Sequence, residues 1–309
     1  MKSILIILLA AIAFLVILVE VGLRLLLGFG NPPLYIADEK IGYLLAPNQR
    51  LRRMGNCIEV NEYSMRGASV TAKRPPETLR VLLLGDSVAN GGWWTDGEQT
   101  ISYLLQEKLE PSQPGVEVLN ASANSWSPRN ELAYVQRFGL FEAQIVVLLI
   151  NTDDLFGTAP TSLPVGRDRN YPQRKPKGAI AELYSRYFVK PQPVPGMDEV
   201  RAEGGDRVGY NLQAIEDIET IARSNGATLI LAMTPLLREI GEPGSRDYEL
   251  KARQRLKEFT SARSIPYIDF LPLFEGQTAP KTLYRDHIHL SPTGNQFVCD
   301  RLVTVISNQ

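Results

Sequence analysis

Two cysteines and two histidines are the only thiol and imidazole groups in this 309-residue chain, and its formal net charge is only -1. Cys57 and Cys299 form no CxxC and no Cys/His cluster, so neither a metal site nor thioredoxin-like redox chemistry is expected, and no cofactor is implied. A Cys57–Cys299 disulfide stays open at this point, because spacing alone says nothing about proximity. The balanced charge gives no basic face of the kind that nucleic-acid binders carry, which sets nucleic acid aside as a partner. Neither GxxxxGK[ST] nor GxGxxG occurs, which argues against a nucleotide-binding protein that cradles phosphate in its glycines. No internal repeat is present. The remaining composition, 44% hydrophobic and 22% charged, is that of an ordinary globular protein.

The first thirty residues differ in kind from the rest. No charge appears from Ser3 to Val19, and the apolar pattern runs on to Phe29, interrupted only by Glu20 and Arg24. A helix of ~20 apolar residues spans the hydrocarbon of a bilayer. Glu20 and Arg24 are four apart and can pair on one helix face, with the arginine stem reaching toward headgroups. A cleavable signal would need a small-x-small site after the apolar run, but Ala11-Ile12-Ala13 lies inside it. An uncleaved transmembrane anchor at 1–30 is therefore expected, with the lipid bilayer as its partner. Lys2 flanks one end while Arg24, Lys40, Arg50, Arg52 and Arg53 follow the other, so charge counting gives no orientation.

Residues 31–79 are rich in Pro, Asn and Gly with two short strand-like stretches, IGYLL and CIEVN, and suggest a connector rather than a separate domain. From Arg80 onward strands and helices alternate. VLLLG, VEVLN, QIVVLLIN, ATLILAMTP and IPYIDF are strand candidates, with helical patterns at about 99–110, 128–139, 208–225, 246–260 and 292–306. Such alternation predicts an α/β fold, a flavodoxin-like doubly wound parallel sheet of five strands spanning 80–309. Residues 152–205, with many prolines and the run GRDRNYPQRKPKG, are expected to be an insertion near the active edge.

Within that pattern the stretch VLLLGDSVANGG, Val81 to Gly92, poses a chemical question. Four aliphatic residues bounded by glycine fit a central strand covered on both faces, and the carboxyl end of such a strand is where α/β sheets place ligands. A serine there, Ser87, is a poor nucleophile until a base takes its proton. Near the C-terminus, LYRDHIHLSPTG supplies a candidate. Ser291 and Pro292 have the residue types of a helix cap and first position, so Asp286 to Leu290 should form the loop before the last helix. Asp286 can there accept the Nδ1 proton of His289, three residues on, leaving Nε2 to face a serine hydroxyl. His287, the only other histidine, should be dispensable.

These blocks resemble the SGNH (GDSL-type) hydrolases: Gly85-Asp86-Ser87 after the first strand matches the nucleophile block, and Asp286-His287-Ile288-His289 the terminal DxxH block. The resemblance covers about Arg80 to the C-terminus, in family order. The membrane anchor, the turn at Pro47-Asn48 and the stretch Asn61 to Gly67 (N-x-x-x-M-R-G) also resemble single-pass members associated with bacterial exopolysaccharide genes. The family pattern implies further oxyanion donors from a glycine after the second strand and an Asn in a G-x-N-D segment after the third. Here Ser125 falls where the glycine usually stands, and Asp153 of Asn151-Thr152-Asp153-Asp154 where the Asn usually stands. An ionised Asp153 would oppose an oxyanion, so Asn151 is expected to turn its amide inward with Asp153 turned toward a hydrogen-bond partner at the pocket edge, the competing arrangement being a protonated Asp153 that donates as a neutral acid.

What the resemblance implies is a membrane-anchored serine esterase or O-acyltransferase acting on acyl esters of an envelope or exported polysaccharide, with its catalytic domain extracytoplasmic. The alternative is a non-catalytic partner of the same fold in polysaccharide assembly. Trp93, Trp94 and Trp126 can stack on sugar rings or simply wall a cleft. The basic run Arg167, Arg169, Arg174, Lys175 and Lys177 is expected to be a solvated surface rather than a seat for an anionic glycan.

Overall fold

The computed structural model describes residues 2–309. Helix α1 (Lys2–Leu27) is followed by two antiparallel hairpins, β1 (Tyr35–Asp38) with β2 (Gly42–Leu45) and β3 (Gln49–Arg53) with β4 (Asn56–Val60). The α/β portion then runs β5 (Arg80–Gly85), α2 (Ser87–Asn90), α3 (Ile101–Leu109), β6 (Glu117–Ser122), α4 (Pro128–Phe138) and β7 (Ile145–Asn151). After it come α5 (Ala179–Tyr187), α6 (Met197–Arg201), α7 (Arg207–Ser224), β8 (Thr228–Thr234), α8 (Asp247–Ala262), β9 (Tyr267–Asp269), α9 (Phe270–Glu275) and α10 (Pro292–Ile306).

The five strands from Arg80 onward form one parallel sheet in the order β6-β5-β7-β8-β9, the doubly wound arrangement expected from the sequence. Its inner strands are buried along their whole length because helices cover both faces, which is why they contain almost nothing but Val, Leu and Ile. Alternate residues serve different layers. Leu82, Leu84, Val146 and Leu148 pack on one face against α4 and α7, while Val81, Leu83, Val147 and Leu149 pack on the other against α3 and α10. The first layer also takes in Tyr35, Tyr43, Leu44, Leu51, Ile58 and Met65 from residues 31–79, so both hairpins are built into the core.

Helix α1 has no buried residue and is long and apolar enough to cross a membrane, with a mean hydropathy of 3.3. The disulfide left open by the sequence is not formed. Cys57 is exposed on the β3–β4 hairpin, while Cys299 is buried on α10 in the layer on the other side of the sheet, and both thiols are free. Burial pushes the Cys299 thiol up to about 12.

Candidate active site

The glycines of the nucleophile stretch have separate geometric tasks. A Cβ on Gly85 would stand 2.5 Å from the Leu149 carbonyl oxygen and 2.8 Å from the Ala89 Cβ, so only glycine lets β5 lie this close to β7 while turning into α2. Asp86 caps that one-turn helix, its Oδ1 accepting the Val88 N–H at 2.8 Å. Gly91 and Gly92 then take φ of 73° and 51°, and a Cβ on Gly92 would meet the Trp94 ring at 2.5 Å. The strand thus ends on a serine because the chain folds back immediately, placing Ser87 at the sheet edge and Trp93 and Trp94 beside it. Arg66, from the N-x-x-x-M-R-G stretch, fastens this return by donating to the carbonyls of Gly92 at 2.6 Å and Thr95 at 2.8 Å.

His289 arrives from the loop ahead of α10, which Ser291 caps by accepting the Gly294 N–H at 3.2 Å. Asp286 accepts the backbone N–H of Ile288 at 3.1 Å and of His289 at 2.9 Å, and its Oδ2 lies 2.8 Å from the His289 Nδ1. Partial burial works against its ionisation, but these hydrogen bonds outweigh it and hold the Asp286 carboxyl below the usual range. The His289 Nε2 lies 3.0 Å from the Ser87 Oγ, and the Trp94 ring packs on the imidazole with centroids 4.3 Å apart. With Nδ1 protonated toward Asp286, Nε2 is free to accept the serine proton. The side chain of His287 is 83% exposed and takes no part in this contact.

A cavity of about 290 Å³ opens over Ser87, lined by Arg66, Asn90, Trp93, Trp94, Asn124, Ser125 and others, including Asn170, Tyr171 and Arg186 of the insertion. Ser125 sits in the left-handed region at φ 59°, which explains why a glycine would suit its place. Its Oγ accepts the Tyr171 hydroxyl at 2.9 Å, and its backbone N–H has no partner among the described residues. The Ser87 N–H opens α2, where no intrahelical acceptor exists. The Ser125 N–H is therefore a free backbone donor at the cavity wall, while the Ser87 N–H has the Asp86 carboxyl beside it. The sequence missed Asn124, which lines the cavity with no partner on its buried Oδ1.

Asn151 does not stand where the sequence placed it, whereas Asp153 is turned away from the cavity as expected. The Asn151 amide points back into the protein, donating to Asp86 at 2.8 Å and Asp154 at 2.9 Å while its Oδ1 accepts the Asp153 N–H. It cannot also reach into the cavity. Asp153 is exposed, outside the lining of the cavity, with Arg238 and His287 as neighbours. Trp126 is buried and donates its indole N–H to the Tyr43 carbonyl, so it belongs to the core. Of the basic run, Arg169 is occupied with the carbonyls of Ser185, Arg186 and Val189.

Behind Ser87 lies a group of buried acids. The Asp86 Oδ2 lies 3.1 Å from the Ser87 Oγ and competes with the His289 Nε2 for its single proton, Asp154 accepts the Asn151 N–H at 2.8 Å, and Glu131 is wholly buried with neither carboxyl oxygen hydrogen-bonded. Burial raises all three, Asp154 and Glu131 far above the usual carboxylate range. Among the described residues no group of three or more His, Cys, Asp or Glu is placed to hold a metal ion.

The family described as GDSL-like Lipase/Acylhydrolase matches residues 83–297, and the chain belongs to it. It is accordingly a serine hydrolase acting on ester bonds. Among solved structures it is similar to an acetyl xylan esterase, AlAXEase, with a TM-score of 0.51 at 14% identity over 74% of this chain and 100% of that one. It is also similar to an alpha/beta hydrolase enzyme from the metagenome of Lake Arreo, Spain, with a TM-score of 0.50 at 12% identity over 73% of this chain and 94% of that one. At such identities the likeness is one of fold. No curated protein sequence matches the chain closely enough to be a relative.

Proposed function

We propose that the protein is a membrane-anchored esterase or O-acyltransferase that acts on acyl esters of an envelope or exported polysaccharide, with Ser87 as nucleophile, His289 as general base and Asp286 orienting it. The 3.0 Å approach of the His289 Nε2 to the Ser87 Oγ carries this reading. Ser87 attacks the ester carbonyl as His289 takes its proton. The oxygen that gains charge is met by the backbone N–H groups of Ser87 and Ser125, with the Asn124 amide as a third donor. Collapse of the tetrahedral species expels the alcohol, which receives the proton from His289, and leaves an acyl-Ser87 ester. Water or a second hydroxyl, deprotonated by the same imidazole, then releases the acyl group.

A polymeric, hydroxylated substrate is supported by what adjoins the site. A second cavity of about 800 Å³ shares Ser125, Asn170 and Tyr171 with the first and is lined further by Thr158, Asp168 and Gln192. Amides, hydroxyls and tyrosine rings suit sugar rings better than an acyl tail. The non-catalytic alternative drew on Asp153 and Ser125; an exposed Asp153 outside the cavity lining and a Ser125 that lines it support the catalytic reading instead.

Mixing the purified protein with an aryl acetate should trap an acetylated peptide containing Ser87, detected by mass spectrometry, and acetylated polysaccharide should lose or exchange its acetyl groups. Acetylation elsewhere, or none, would overturn the assignment. We place the catalytic domain outside the cytoplasm, tethered by α1. A C-terminal alkaline phosphatase fusion should then be active and a green fluorescent protein fusion dark, and the reverse would exclude an envelope substrate.

A further inference from the structure

Helix α1 is not joined to the rest of the protein by a loose tether. The Glu20 carboxylate accepts the Ala179 N–H at 2.7 Å and the Ile180 N–H at 2.9 Å, the first turn of α5. Gly178 leaves room for this approach, since a Cβ there would stand a tight 3.2 Å from the same carboxylate. At the end of α1 the Met54 N–H donates to the Leu27 carbonyl at 3.0 Å. The Gly30 N–H donates to Glu182 of α5 at 2.6 Å, and Glu182 also holds Arg53 in a buried ion pair of 2.6 Å. Anchor, β3 and α5 are thus locked together.

The depth of α5 follows from where it docks. The uncharged run Ser3 to Val19 fills a bilayer core as a helix, so Glu20, the next residue, marks the headgroup boundary. The face that α5 turns outward fits that level. Tyr184, Tyr187, Phe188 and Val189 are 59%, 64%, 71% and 42% exposed, and the first three follow the i, i+3, i+4 spacing of one helix face. Other large apolar side chains exposed on the domain, such as Tyr103, Tyr210 and Tyr248, are not grouped in this way. Lys175 and Lys177 just before α5 and Lys190 just after it are exposed as well. Aromatic side chains between flanking lysines are what a membrane–water interface retains.

We infer that α5 lies in the headgroup layer of the bilayer and holds the Ser87 cavity at the membrane surface, so that the enzyme acts on esters presented there. This rests on the anchoring of α1 proposed above. Arg186 of α5 and Pro33, just past the anchor, both line the Ser87 cavity, so the part of the protein nearest the lipid is also a wall of the site.

The test uses the full chain with Cys57→Ser, in vesicles of phosphatidylethanolamine and phosphatidylglycerol carrying nitroxide lipids. An environment-sensitive fluorophore is attached at Phe188→Cys, Ile12→Cys or Tyr248→Cys. The label at 188 should be quenched by headgroup nitroxides, that at 12 by deep nitroxides, and that at 248 by neither. If position 188 behaves like position 248 while position 12 is quenched, the interfacial placement is wrong although the anchor stands. If position 12 is unquenched too, the anchoring falls and this inference with it. Replacing Tyr184, Tyr187 and Phe188 together by Ser should slow turnover of a vesicle-borne ester roughly tenfold and leave a soluble aryl acetate unaffected, since α1 still anchors the chain and only the seating of the cavity against the headgroup layer is lost. Equal rates on the vesicle-borne ester would contradict it.

Discussion

Two sets of carboxylates flank Ser87, and their surroundings shift them in opposite directions. On the imidazole side Asp286 is 36% exposed and receives two backbone N–H groups and the His289 ring, which keep it ionised. On the sheet side Asp86, Asp154 and Glu131 are buried, and loss of water raises all three even though Asp86 accepts several hydrogen bonds. Distance from the serine and the count of hydrogen bonds accepted are therefore both poor guides to a carboxylate's role, since Asp86 accepts as many as Asp286, and the depth of burial is a better one. Asp286 can support an imidazolium, whereas Glu131 and Asp154 supply buried bulk and a bonding site for Asn151.

The largest expected effect follows from the ionised side. Asp286→Asn keeps the shape but reverses the tautomer that His289 should hold, and kcat should fall about 10⁴-fold with little change in KM. A drop below tenfold would mean that Asp286 serves the loop rather than the imidazole. On the other side of the serine, Asn124→Ala should lower kcat by about 10²- to 10³-fold, the cost of one oxyanion donor. Asp153→Asn should leave it unchanged, because that side chain lies outside the cavity. If the two variants exchanged these outcomes, the donors would be those of the family pattern and not those of the observed turn.

A smaller effect, visible in stability rather than turnover, distinguishes the two sets by pH. The folded-state pKa of Glu131 is raised, so the folded protein binds the proton more tightly than the unfolded chain and loses stability as pH rises from the usual Glu range toward the raised value. Glu131→Gln removes that dependence. Its advantage in chemical denaturation should grow with pH, by about 1.4 kcal/mol per unit where one proton is at stake. Asp286, with its lowered pKa, has the opposite sign: its contribution is present above the usual Asp range and is lost as pH falls through the lowered value. A pH-independent gap between Glu131→Gln and the parent would show that Glu131 is not the proton-holding group.

How much of this was legible in the sequence depended on how local each feature was. The parallel strands were readable because burial on both faces leaves runs such as VLLLG and IVVLLIN unbroken by polar residues. The Asp286–His289 pair was readable because three residues and a helix cap fix its geometry. The partner strands of the hairpins were not, since β3, QRLRR, alternates with charge and has no apolar run. Nor was the choice between Asn124 and Asn151, which turns on one left-handed residue, Ser125, and on the buried acids that claim the Asn151 amide. Arg66 lay in a noted motif, but its hold on the carbonyls of Gly92 and Thr95 is a long-range contact that spacing cannot reveal.

The central claim is that His289 activates Ser87 for attack on an ester carbonyl. Labelling of the purified protein with a fluorophosphonate, followed by peptide mapping, addresses it most directly. The parent should be labelled stoichiometrically at Ser87, Ser87→Ala not at all, and His289→Ala at a rate lower by orders of magnitude. Labelling that persists in Ser87→Ala, or that proceeds equally fast without His289, would contradict the account.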